Sequence, residues 1–105
     1  MKPFPPTPDL LAIAPRVIWF EPAETALADP VRFLVYLMTY GTLDEIAVVR
    51  RYCDREAFCE ALDHAPAGIF DERSWAYWNV MFGRYPVPPM PRRVIPDVSA
   101  SARDR

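Results

Sequence analysis

A chain of 105 residues holds one compact domain. Its charge of −2 is split unevenly: residues 16–83 carry six Arg against eleven Asp and Glu, a balance of −5, while residues 84–105 carry five Arg against two Asp, a balance of +3. An acidic body repels phosphate, which argues against nucleic-acid binding by the core. The longest apolar run, Val31 to Met38 broken by Arg32, is far below the ~18–20 residues of a membrane span.

The first fifteen residues contain Pro3, Pro5, Pro6, Pro8 and Pro15. Missing amide donors and a fixed φ predict an extended N-terminal arm over residues 1–15, in which Leu10 to Ile13 could start a short turn. No basic stretch followed by an apolar one opens the chain, so a cytoplasmic location is expected. Residues 16–20 (RVIWF) read as an extended segment laid on the core.

Asp29 followed by Pro30 predicts the start of a first firm helix, which runs to Tyr40 and ends at Gly41 in a left-handed capping conformation. Its residues are apolar on nearly every face, and only Arg32, Tyr36 and Thr39 form a polar line, which places it in the middle of a bundle. Thr42 and Glu45 form a Thr-x-x-Glu capping box that opens a second helix to Tyr52 or Cys53, with Leu43, Ile46, Val49 and Cys53 facing inward. Asp54 caps a third helix to Ala65. Ala57, Phe58, Ala61, Leu62 and Ala65 line its inner arc; Glu56, Glu60, Asp63 and His64 line the outer one.

Asp71 caps a fourth helix to Phe82, stopped by Gly83. Here apolar residues occupy two faces: Trp75, Trp78 and Phe82 on one, Tyr77 and Met81 on the other. A small body covers one stripe with its own core, so the other must meet an arm, a second subunit or a different protein. The expectation is an all-α fold: a small bundle of about four short helices over residues 16–85, flanked by arms at 1–15 and 86–105.

Catalytic patterns are scarce. His64 is the one histidine, placed at a helix end where an exposed imidazole complements the dipole. Five helical residues from Cys59, the two side chains lie about 140° apart, which disfavours a nucleophile and base pair. Cys53, Cys59 and His64 lack the paired spacing of a zinc site, so no metal is expected, and two cysteines without a disulfide framework are read as reduced. The carboxylate neighbours Asp44 with Glu45, Glu56 with Glu60, and Asp71 with Glu72 read as caps and solvated faces rather than acid and base pairs. With three glycines and no phosphate loop, the chain is expected to be neither an enzyme nor a cofactor binder.

Two further patterns stand beside this reading. The second and third helices have the order of a helix-turn-helix, with Arg50, Arg51 and Arg55 near the turn, but the acids Asp54, Glu56, Glu60 and Asp63 oppose its entry into a major groove. The segment 84–93 (RYPVPPMPRR) has overlapping Pro-x-x-Pro spacings beside arginine, which read as a stiff tail packing on aromatic rings of its own or a neighbouring subunit, or as a polyproline ligand.

The landmarks Ile18, Trp19 and Phe20, then Tyr40 to Ile46 (YGTLDEI), Arg51 and Tyr52, Phe58, Leu62, and Ser74 to Trp78 (SWAYW) occur in an order that resembles a family of small uncharacterised bacterial proteins found beside nucleotidyltransferase toxins of the abortive-infection type. The resemblance covers residues 17–83 and implies a companion or antitoxin-like role. It carries no catalytic residue. The expected function is therefore a non-enzymatic protein–protein interaction domain with Trp75, Tyr77, Trp78 and Met81 as partner-binding anchors. A helix-turn-helix DNA-binding regulator and a self-associating structural domain are the alternatives.

Overall fold

The computed structural model describes residues 1–91; the basic residues that follow Pro91 lie outside it. Among the described residues the fold is wholly helical: α1 Pro8–Val17, α2 Ala23–Ala28, α3 Pro30–Tyr40, α4 Leu43–Val49, α5 Arg55–Asp63 and α6 Glu72–Met81. No helix is long and apolar enough to cross a membrane.

Four of these helices start where the capping residues place them. Asp29, Thr42, Asp54 and Asp71 each accept a bond from the backbone amide three residues on, and Glu45 returns the bond to the Thr42 amide to close the capping box. The helix count is six rather than four, and the two additions come first. The expected arm over residues 1–15 is helical from Pro8 onward. Pro8 sits in the first turn, where an absent amide costs nothing, and the stripe Leu10, Ile13, Ala14 and Val17 is buried strongly enough to carry Pro15 inside the helix. Even upstream of it the chain is tied down. Phe4 is buried edge-on against Phe33 at 5.2 Å, and its amide donates to the Leu27 carbonyl at 3.0 Å. RVIWF is the end of α1 and the turn after it, not an extended segment.

The helix α3 is the axis of the bundle, packed by α1, α2, α4, α5 and α6. Phe33, Leu34, Val35 and Leu37 are fully enclosed, while Arg32, Tyr36 and Thr39 are half-buried along its outer line. Each full burial of a Leu or Phe side chain contributes ~1.5–3 kcal/mol, so this helix supplies much of the stability. Two expectations about its end and its successor are corrected. Gly41 is extended, with φ −77°, and a Cβ there would lie 2.6 Å from the Leu37 carbonyl oxygen, so glycine is required by close approach and not by handedness. Leu43 does not face inward: it is 75% exposed at the first residue of α4, while Ile46 and Val49 hold the inner face.

After Gly83, which does take a positive φ of 77°, residues 86–91 run without helix across α6. The Trp75 indole donates to the Pro88 carbonyl at 2.8 Å, and Val87 and Met90 pack on the core. This part of the tail is a strap on the chain's own aromatics; the remainder of the 86–105 arm falls outside the described residues.

Candidate functional site

The four proposed anchors separate on α6. Trp75 and Trp78 are 6% and 8% exposed and belong to the core, while Tyr77 and Met81 are 48% and 60% exposed. The physical reason lies in distant partners. Trp78 packs on both Phe58 and Phe82, which also meet each other at 6.1 Å, and its indole donates to the Met38 carbonyl at 2.8 Å. That carbonyl is in the last turn of α3, where the helix provides no donor because the Thr42 amide is turned toward Glu45. Trp75 meets Phe70 edge-on and holds the strap. Both indoles therefore shape the surface from beneath rather than standing on it.

What remains outside is an apolar groove between α4 and α6. Two adjoining hollows of about 160 and 260 Å³ share Leu43, Ile46, Tyr77 and Trp78, and a third of about 430 Å³ lies on the outer face of α6 alone, over Tyr77, Val80 and Met81. Leu43, Ile46 and Ala47 form the α4 wall, Tyr77 and Met81 the α6 wall, and Phe58 with Trp78 the floor. Tyr77 is braced edge-on against Trp78 at 5.0 Å, so its ring is fixed from below while its outer face stays in water. Arg50 and Arg73 stand at the rims, and the ion pairs among the described residues are made by Arg16, Arg32, Arg51, Arg84 and the N-terminus instead. Sequence reasoning found Tyr77 and Met81 through their surplus stripe. It missed Leu43, whose spacing to Ile46 matches an inward stripe and whose exposure follows from its place at the helix start.

The other candidates lie in caps, ion pairs and helix ends. Burial, with Asp54 beside it, pushes the Cys53 thiol up to about 11, far from a thiolate at neutral pH. Cys59 is half-buried on α5 and His64 is exposed at its end. Glu45 is held below the usual carboxylate range by Arg16 and by its bonds in the capping box; Asp71 is held low by its cap bonds to Ser74. Arg84 does the same for Asp63 through bonds of 2.6 and 3.1 Å. A depressed, paired carboxylate is a poor proton donor or acceptor near neutrality. Among the described residues no three His, Cys, Asp or Glu side chains gather as a metal site. Of the arginines near the α4–α5 turn, Arg55 donates to the Phe82 carbonyl at 2.6 Å and covers its ring, and Arg51 lies 3.9 Å from Asp9.

A second exposed set lies elsewhere. Trp19 and Phe20, in the turn after α1, meet Tyr36 and Tyr40 from successive turns of α3 in a four-ring surface cluster. No family model matches the chain, and no curated protein and no solved structure matches it either.

Proposed function

We propose that this chain is a non-enzymatic interaction domain, which takes a protein partner into the α4–α6 groove and acts as an antitoxin-like companion of a nucleotidyltransferase-type toxin in the cytoplasm. The observation that carries the interaction role is the open groove, where Leu43, Tyr77 and Met81 remain in water over a floor that includes the buried Phe58 and Trp78. Support for the toxin as partner comes from the order of aromatic and glycine landmarks over residues 17–83. Tyr77 and Met81 are the contact anchors; Trp75 and Trp78 set the groove's shape. Rigid aromatic anchors braced over a packed floor are the usual hot spots of interfaces, and losing one costs ~2 kcal/mol or more of binding energy.

The test is co-expression with a nucleotidyltransferase toxin of the abortive-infection type, followed by co-purification and titration calorimetry. A complex that Tyr77→Ala and Met81→Ala each weaken, with unchanged unfolding midpoints for the isolated chain, is the expected result. A complex indifferent to both substitutions removes the groove, and no complex removes the companion role. The DNA-binding alternative draws less support, because Arg55 is already engaged by Phe82 and Arg51 lies beside Asp9.

A further inference from the structure

We propose that the occupant of the α4–α6 groove is an acidic amphipathic helix of the partner protein, with two large apolar side chains seated in the adjoining hollows and a carboxylate at each end of that stripe, on Arg50 and Arg73. The inference rests on the groove being the partner-binding face and adds the chemistry of what fills it. Seven arginines lie among the described residues, and five are engaged: Arg16 with Glu45, Arg32 with Glu21 and Asp29, Arg51 beside Asp9, Arg84 with Asp63, and Arg55 on the Phe82 carbonyl and ring. The two left over are Arg50 and Arg73. Both are exposed, and both line the groove.

No Asp or Glu among the described residues lines either hollow, so the groove is a cationic strip on a body whose residues 16–83 sum to −5. A carboxylate brought to either guanidinium gains a charge-assisted bond without displacing an existing partner. The chain's own residues 92–105 carry four Arg against two Asp, so these two arginines repel that tail. A phosphate strand would meet the same two cations, but the acidic body around them opposes a polyanion. A short acidic segment suits both the strip and its surroundings.

The shape selects a helix. Met81 and Phe82 line the first hollow with Arg50, Gly41 and Ser74 line the second with Arg73, and Tyr77 and Trp78 are common to both. The two guanidiniums thus mark opposite ends of a trough that follows α6 from Arg73 to Met81, about 12 Å of helix rise. An apolar cavity of about 150 Å³ accepts a benzene ring, so hollows of about 160 and 260 Å³ each take one Leu, Met or Phe side chain. Two such side chains at i and i+4 of a helix stand ~5–6 Å apart, as adjoining hollows require. The walls are helix faces with no open strand edge, so an extended peptide would leave its amides unpaired there, whereas a helix bonds its own.

The test titrates the full chain against a labelled, stapled helical peptide with Leu at i and i+4 and a Glu at each end of the pair, and against its twin with Lys in place of Glu, read by fluorescence anisotropy. The expected result is saturable binding of the Glu peptide, weakened severalfold by Arg50→Glu or Arg73→Glu and about tenfold or more by the two together. The double variant is expected to prefer the Lys peptide, a reversal that an unfolded or collapsed groove could not produce. Tyr77→Ala is expected to weaken both peptides. Absence of saturable Glu-peptide binding overturns the proposal, as does equal binding of the twins or indifference to the double charge reversal. Where Tyr77→Ala still weakens the peptides in the last two cases, the groove stands and the acidic helix alone falls; the toxin co-purification decides the groove separately. Preference of Arg50 and Arg73 for a single-stranded oligonucleotide over the Glu peptide also overturns it. Self-association of the chain that Tyr77→Ala abolishes and the peptide cannot compete with would assign the groove to a second copy and equally overturn it.

Discussion

Replacing Trp78 by alanine separates a groove floor from a contact anchor. The indole is buried, stacks at 6.4 Å on Phe58 and 5.8 Å on Phe82, and bonds to the Met38 carbonyl at 2.8 Å. Truncating a buried Trp costs about 3–5 kcal/mol in transfer and cavity energy. The stranded carbonyl at the end of α3 adds about 1 kcal/mol or more. Against a total stability of about 5–14 kcal/mol for a body of this size, the loss of about 4–6 kcal/mol removes roughly a third or more of the total and unfolds a protein at the low end of that range. Trp78→Phe keeps a ring and loses the bond, at about 1–3 kcal/mol. Urea unfolding followed by circular dichroism measures both. A fully folded Trp78→Ala protein, less than about 1 kcal/mol below the parent yet unable to bind its partner, would refute this reasoning and return Trp78 to the interface.

Gly41→Ala is expected to cost about 1–3 kcal/mol through overpacking, because the added methyl meets the Leu37 carbonyl and side chain; an unchanged urea midpoint would contradict it. Thr42→Ala removes half the capping box and is expected to cost ~1 kcal/mol, read by the same assay. Asp9, Glu45, Asp63 and Asp71 all have folded pKa values below their ordinary ones, so their contribution is full above the ordinary carboxylate range, 3.8 for Asp63 and 4.5 for Glu45. It is lost as pH falls through the folded values; urea midpoints should therefore drop below about pH 4, and a midpoint that holds steady there would count against these pairings. Alkylation of Cys53 is expected to be slow at neutral pH and to accelerate only toward its value of about 11, and peptide mapping showing prompt modification at neutrality would contradict its burial.

The starts of α3, α4, α5 and α6 were legible because a cap is a local device. A side chain and an amide three residues away decide it, and both stand in the sequence. The inner arc of α5 was equally readable from Phe58, Ala61 and Leu62, all buried. The start of α1 was obscured by Pro8 and Pro15, although Leu10, Ile13, Ala14 and Val17 carry a helical stripe whose tertiary burial outweighs one lost backbone bond. The six residues of α2 have no side-chain cap and make fewer than two turns. On α6 the doubling of apolar faces was visible, but which face the body covers depends on Met38 and Pro88, remote along the chain. The cluster of Trp19 and Phe20 with Tyr36 and Tyr40 is likewise a product of how α1 leans on α3, and no spacing within either segment announces it.

The bond from Trp75 to Pro88 gives the last described stretch a duty beyond connection. Cutting the chain after Arg84 would strip Val87 and Met90 from their seats and leave a wet indole beside Phe70. A shortened protein of that kind would acquire a sticky face that the intact one lacks. Aggregation or spurious partners seen with it would reflect the cut rather than the native surface.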